Sequence, residues 1–137
     1  MKIEITKEAF NKLQKRFLWV YSNEVKEHKD YALGQVVDVV YEGKFVAKAF
    51  YNRLSKISLR VLSFENEKID RIFFEKKILK AIEKRKILPF ITNSFRLIHS
   101  EADFLPGLIV DKYGDNLVVS FTTAGMDNFK GLIIEIL

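Results

Sequence analysis

Polar and apolar residues alternate from Lys2 to Ile5, then give way at Thr6 to a helical spacing that places Phe10, Leu13 and Phe17 on one face. The switch predicts a short strand and a helix. Thr6 is the N-cap, Glu8 sits in the favourable first turn, and Ile5 and Phe10 form a hydrophobic staple. Trp19-Val20-Tyr21, a turn at Ser22-Asn23 and a polar span from Lys26 to Asp30 follow. After Gly34 the pattern predicts a strand from Gln35 to Tyr41, a two-residue turn at Glu42-Gly43 and a return strand from Phe45 to Tyr51. Asn52 to Ser55 reads as a loop, and Ile57 to Leu62 alternates as a further strand. Several short strands and one helix within the first 64 residues predict a small closed or half-closed barrel.

Beyond Phe64 the period changes to that of a helix, predicted over Glu67 to Lys86, capped by Asn66 and stopped by Pro89. Its apolar face is read as Ile69, Ile72, Phe73, Leu79 and Ile82, with Lys76, Lys77, Lys80, Lys84 and Arg85 on the others. Further on, Leu105-Pro106-Gly107 is a turn, and Leu108 to Val110 and Leu117 to Val119 are two strands joined by a loop over residues 111–116. Gly125 to Leu137 predicts a terminal helix whose face is Phe129, Leu132, Ile133 and Ile136. So short a helix needs cover, from the hairpin, from another chain or from a continuation of the protein. The fold class is α+β: a small mixed β pseudo-barrel over 1–66, a connecting helix over 67–90, and a β-hairpin with the start of a helix over 91–137.

Composition narrows the classes of function. A chain with 48% hydrophobic and 13% aromatic residues can bury a core. It has no cysteine, which excludes disulfides, thiolate metal sites and a cysteine nucleophile. No apolar run reaches the roughly 18 residues of a membrane span, and the first residues lack the apolar stretch of a signal peptide, so the expected compartment is cytoplasmic. Abundant Lys and Glu with absent Cys lean towards a thermophile. The net charge of +5 is uneven: residues 1–88 carry 20 Lys and Arg against 12 acids, and residues 89–137 carry 3 against 6. That split suggests either a polyanion partner for the first part or an ordinary basic surface.

Little in the chain points to catalysis. Glu101, Asp103, Asp111 and Asp115 cluster, but without the spacing of a calcium loop, and read best as turn and hairpin caps, with no metal expected. His28 and His99 have no partner at a diagnostic spacing. The glycines are scattered at 34, 43, 107, 114, 125 and 131, with no Gly-rich strand-to-helix turn for a nucleotide-like cofactor.

The wording of three segments is more specific. Arg96 to Asp115 reads R-L-x-x-x-E-x-D-x-L-P-G-L-I-V-D-x-Y-G-D; Trp19 to Val25 reads W-V-Y-S-N-E-V; and Tyr51 to Leu62 reads Y-N-R-L-S-K-I-S-L-R-V-L. Together they resemble the N-terminal part of the PUA-domain-containing 23S rRNA cytosine-C5 methyltransferases, a family dependent on S-adenosylmethionine (SAM), in which a PUA barrel and a connecting segment precede the catalytic domain. Departures stand at Arg16-Phe17-Leu18, where the family has Gly-His-Pro, and at Arg53, where it has Pro. The resemblance implies structured RNA, rRNA above all, as the partner. It points to Lys15, Arg16, Ser22, Asn23, Asn52, Arg53, Ser55 and Lys56 as the RNA-facing residues. Trp19 and Tyr51 are read as core and Arg60 as an ion-paired brace, with stacking on bases as the alternative for Trp19, Tyr21 and Tyr51. Methylation at cytosine C5 uses a thiolate to attack C6, which this chain lacks. No catalytic residue is therefore assigned, and SAM is expected only on a catalytic domain outside these residues.

Two classes of function remain. One is an RNA-binding module and linker of such an enzyme, present here as a truncated fragment or a natural remnant. The other is a protein-interaction module that forms a homodimer or binds a catalytic partner through the hairpin and terminal helix.

Overall fold

β1 (Lys2–Glu4) ends where the Thr6 hydroxyl accepts the amide of Ala9 at 3.3 Å, and α1 (Lys7–Gln14) begins there, as its cap predicts. β2 (Trp19–Tyr21), β3 (Gln35–Tyr41), β4 (Lys44–Tyr51) and β5 (Ile57–Ser63) follow, with a 3-10 turn at Ser22–Glu24. The β3–β4 turn has Glu42 at φ 50° and Gly43 at φ 76°, the double left-handed backbone of a two-residue hairpin. The computed structural model describes all 137 residues, in two compact units, Met1–Glu67 and Lys68–Leu137.

In the first unit the five strands run in the order β1-β3-β4-β5-β2, with β1 parallel to β3 and the other pairs antiparallel. The sheet curls until its two edges meet. The Thr6 amide donates to the Glu24 carbonyl and the Lys26 amide to the Glu4 carbonyl, both at 3.0 Å, around a bridge between Ile5 and Val25. Bulges in β2, β3 and β4 supply the bend. Inside lie Ile3, Ile5, Val37, Val39, Ala47, Ala49, Tyr51, Leu59 and Val61, roofed by Ala9 and Leu13 of α1. The small alanines on the inner face of β4 let the curl close around the larger side chains.

The second unit departs from expectation at its helix. α2 spans Arg71–Lys84, and Asp70, not Asn66, caps it, its carboxylate accepting the Phe73 amide at 3.1 Å. It buries Phe73, Phe74, Ile78 and Ala81 and leaves Ile72, Leu79 and Ile82 exposed, so the buried stripe lies beside the predicted one. The hairpin carries a third strand: β6 (Ser94–His99), β7 (Leu108–Tyr113) and β8 (Asn116–Phe121) form an antiparallel sheet in that order. β7 and β8 extend through the predicted loop and leave Gly114-Asp115 as a two-residue turn. The terminal helix breaks at Phe129 into α3 (Ala124–Asn128), capped by Thr123, and α4 (Lys130–Ile136). It folds back on its own unit: Phe129 packs on Phe74 with ring centroids 4.8 Å apart, and Met126 and Ile133 are fully buried. No helix is long and apolar enough to cross a membrane.

Candidate nucleic-acid interface

The predicted RNA-facing residues fall into two groups at opposite ends of β5. Ser22, Asn23, Asn52, Arg53, Ser55 and Lys56 gather at its start. There the Ser22 amide donates to the Lys56 carbonyl at 2.8 Å, joining the 3-10 turn to the β4–β5 loop. Asn52 and Ser55 are occupied by that loop: the Asn52 side chain accepts the Leu54 amide at 3.0 Å, and the Ser55 hydroxyl accepts the Ile57 amide at 3.2 Å. Both still present polar edges, but their first role is to shape the turn. Arg53 reaches Asp30 at 3.1 Å across the surface. His28, which had no assigned partner, ties this end together: Nε2 lies 2.9 Å from the Ser22 carbonyl and Nδ1 2.9 Å from the Tyr51 hydroxyl. A carbonyl only accepts, so in the neutral ring Nε2 donates to Ser22 and Nδ1 accepts from Tyr51.

Lys15 and Arg16 sit at the other end, where α1 finishes. Arg16 adopts φ 68°, which turns its guanidinium over the Phe64 ring, 4.4 Å from the centroid. Phe64 follows directly on β5, so the resemblance groups residues that the strand holds apart.

β2 spans the gap. Trp19 and Tyr21 stand on the same face of this strand, 37% and 43% exposed. Trp19 is thus a surface residue, contrary to the core reading, whereas Tyr51 is fully buried as expected. The difference has a simple cause: Tyr51 is on the inner face of a central strand, and Trp19 is on the outer face of the edge strand. Arg60, directly across from Trp19, lays its guanidinium over the indole at 5.2 Å, and Lys12 places its ammonium over Tyr21 at 4.8 Å. Lys12 also pairs with Glu24 at 2.6 Å, and the same Glu24 oxygen accepts the Tyr21 amide at 3.1 Å. The result is a track of alternating rings and cations running along β2 from Arg16 to Lys56. Lys12 and Arg60 belong to it and were not predicted; the only sequence signal for them was the alternation that put Trp19 and Tyr21 on one side of a strand. Lys15 and Lys56 are exposed and stand outside the ion pairs of the unit. Such a surface offers stacking faces for bases and cations for phosphates.

The acidic cluster of the second unit has a structural occupation. Asp103 is buried, its side chain 1% exposed, and takes Arg85 at 2.9 Å, Lys84 at 3.0 Å and the His99 amide at 2.7 Å. Burial pushes this carboxyl up, but the hydrogen bonds from Arg85, His99 and Lys84 outweigh it and hold the group below the usual carboxylate range. Asp111 is held low by the Arg96 guanidinium, 2.8 Å away. Glu101 accepts the Ser100 hydroxyl at 2.6 Å. Two consequences follow. The acids serve the turns and strands around them. And the uneven charge along the chain does not survive folding, because the basic helix belongs with the acidic hairpin. Residues 1–67 carry 12 Lys and Arg against 9 acids, and residues 68–137 carry 11 against 9.

Comparison with known proteins shows the family and the fold. The PUA-like domain family matches residues 3–64. Ribosomal RNA large subunit methyltransferase I of Vibrio cholerae is 39% identical over 144 residues, covering 98% of this chain and 35% of that protein. The Pseudoalteromonas translucida protein of the same name is 39% identical over 127 residues, covering 89% and 32%. A solved structure from Streptococcus mutans, assigned as a SAM-dependent methyltransferase, superposes with a TM-score of 0.88 over 99% of this chain and 36% of its own. At 20% identity that likeness is one of fold. A second solved structure with the same TM-score and coverage is of a protein assigned as a methyltransferase in complex with SAH. This chain spans about a third of the length of the curated relatives it matches.

Proposed function

We propose, for a chain whose residues 3–64 form a PUA-like domain and which is homologous to the large-subunit rRNA methyltransferases, that the first unit docks structured rRNA for methylation at a cytosine C5. On this reading the division of labour is a barrel over 1–66 that binds RNA, a helix over 67–90, and a segment over 91–137 that leads to a catalytic domain. SAM and the thiolate chemistry belong to that domain, and no residue here takes part in methyl transfer. The compartment is the cytoplasm, where rRNA is modified.

The observation that carries the proposal is the track along β2. Trp19 and Tyr21 are exposed in parallel, each with a cation on its ring, between Lys15 and Arg16 at one end and Arg53 and Lys56 at the other. Aromatic side chains that stay half-exposed on an edge strand forgo burial, and a stacking partner from outside explains why they stand there. The test is a mobility-shift titration with structured rRNA fragments. Four cations on four phosphates should lower affinity by about 100-fold between 50 and 200 mM salt. Replacing Lys15, Arg16 and Arg53 by Glu should abolish the shift. Absence of binding at low salt, or binding insensitive to salt, refutes the docking role.

A second reading, a protein-interaction module, is favoured by one observation, the apolar surface of the second unit. Ile72, Leu79, Ile87, Phe90, Ile91 and Val118 are all exposed there. Light scattering tests the homodimer, and the Glu substitutions above should leave it untouched.

A further inference from the structure

We infer that the first unit receives its RNA as an unpaired strand, with successive bases stacked on a ladder of three rings, Phe17, Trp19 and Tyr21. The inference rests on the docking reading above and names the form of RNA that the surface takes. α1 ends at Gln14, so Phe17, placed by helical spacing on its apolar face, leads into β2 instead. The Val61 amide donates to the Leu18 carbonyl at 2.8 Å, which carries the pairing of β2 with β5 back past Trp19. Exposure alternates over these five residues. Phe17, Trp19 and Tyr21 are 58%, 37% and 43% exposed, while Leu18 packs against the core and Val20 is fully buried. Alternation thus sets three rings in a row on the outer side of an edge strand. A contiguous aromatic row of this kind marks a contact surface, not an ordinary solvated face.

Spacing and chemistry select an unpaired strand over a duplex. Alternate residues of a β-strand lie about 6.6 Å apart, roughly twice the ~3.4 Å step along one strand of a B-form duplex. A double-stranded RNA shows phosphates, 2′-hydroxyls and base edges, and keeps its base faces inside the stack. Unpaired bases can be splayed out, one to a ring. Arg60 over the indole and Lys12 over the Tyr21 ring each occupy one face, so each of these rings takes at most one base, on the other. Charge complements the ladder at both ends. Lys15 and Arg16 adjoin Phe17, and the bond from the Ser22 amide to the Lys56 carbonyl brings Lys56 beside Tyr21. Phosphates thus meet cations where the ring ladder begins and ends. Asn23, exposed just beyond Tyr21, offers its amide to a base edge. Glu24 sets the geometry in advance: one of its oxygens accepts both the Lys12 ammonium and the Tyr21 amide.

Trp19 is the single tryptophan of the chain, so its fluorescence reports stacking on that ring directly. The test titrates the 137-residue chain at low salt with an unpaired oligoribonucleotide of about eight residues and with a blunt RNA duplex of the same length. The unpaired strand should quench Trp19 and bind at least about ten-fold more tightly than the duplex. Phe17→Leu keeps an apolar side chain but removes the ring. It should weaken binding of the unpaired strand by roughly ten-fold and leave the duplex affinity unchanged, whereas Phe17→Tyr should bind as wild type does. A duplex bound as tightly as the unpaired strand overturns the inference, as does binding of the unpaired strand without quenching or without loss in Phe17→Leu. Structured rRNA fragments keep the two claims apart. If they bind and the unpaired strand does not, the ladder alone is refuted; if none of the three RNAs binds, docking itself falls.

Discussion

The two units carry nearly equal net charge, about +3 and +2, and differ in how exposed the rings beneath their cations are and in how deeply their carboxylates are buried. In Met1–Glu67, cations lie over two exposed aromatic rings, Arg60 on Trp19 and Lys12 on Tyr21, and Arg16 lies over the partly buried Phe64. In Lys68–Leu137 the rings under Lys77 and Lys130 are buried or half-buried, and Arg85 and Lys84 are tied to the buried Asp103, Arg96 to Asp111, and Arg71 to Glu75 and Glu135. The sheets differ in the same sense. The first closes on itself and leaves a polar, aromatic exterior; the second stays open at β8 and leaves an apolar one. A basic stretch of sequence is therefore a poor guide to an RNA surface. What distinguishes the candidate interface is where its cations are held and what they lie against.

The sharpest way to break this contrast is to remove the anchor of the second unit. Asp103→Asn leaves Arg85 and Lys84 facing a neutral group and should cost about 3 kcal/mol in that unit, read by amide exchange or denaturant titration. The same carboxylate sets a pH dependence. Its folded-state pKa lies below the unfolded one, so its contribution is complete above the unfolded value and is lost as pH falls through the folded one. Wild type should lose stability on acidification below about pH 4, and Asp103→Asn should lose less over the same range. An identical acid limb in both proteins means that the triad does not carry the effect.

Two glycines of similar backbone provide the next comparison. Gly107 has φ +91°, and a Cβ there would stand 2.1 Å from the Thr123 hydroxyl oxygen. That oxygen cannot yield freely, since it caps α3 at Met126 and donates to the Pro106 carbonyl. Gly107→Ala should cost about 2 to 3 kcal/mol, strain and clash together. Gly43 has φ +76° with open space around it, and Gly43→Asn should cost under about 1 kcal/mol. Equal costs would show that the backbone angle alone decides, and that the packing of Thr123 is irrelevant.

For the first unit, Trp19→Ala should weaken RNA binding by about 1 to 2 kcal/mol, roughly ten-fold, with little change in salt slope, because stacking is lost and no phosphate contact is. Its stability should fall by about 1 to 2 kcal/mol without loss of the fold, as the residue is 37% exposed. Loss of folding instead of affinity would return Trp19 to the core role first read for it.

That misreading shows where the sequence ran out. The strands and turns of the barrel were legible because each carries a local signal: Thr6 as cap, Glu42-Gly43 as turn, alternation in β3 and β5. α2 was harder, because Ile72, Phe73, Phe74, Ile78, Leu79 and Ile82 offer two adjacent apolar stripes, and periodicity does not say which one faces the core. β6, whose exposed Arg96 and His99 flank the buried Leu97 and Ile98, carries no simple alternation and was not predicted. The interface was legible only as a set of residues. Which of them stand together depends on β2 pairing with β5, a contact across nearly forty residues that no local pattern encodes.

Arg53 separates docking from stability with the smallest perturbation. Its partner Asp30 is almost wholly exposed, so the pair is held in water-like dielectric and screened by salt. Arg53→Ala should therefore change stability by less than about 0.5 kcal/mol. If Arg53 neutralises one phosphate, the same substitution reduces the slope of log affinity against log salt by about 1, uniformly across RNA sequences. A slope that stays at the wild-type value would assign Arg53 to the β4–β5 loop alone. The interface would then shrink to the β2 track and Lys56, without touching the rest of the proposal.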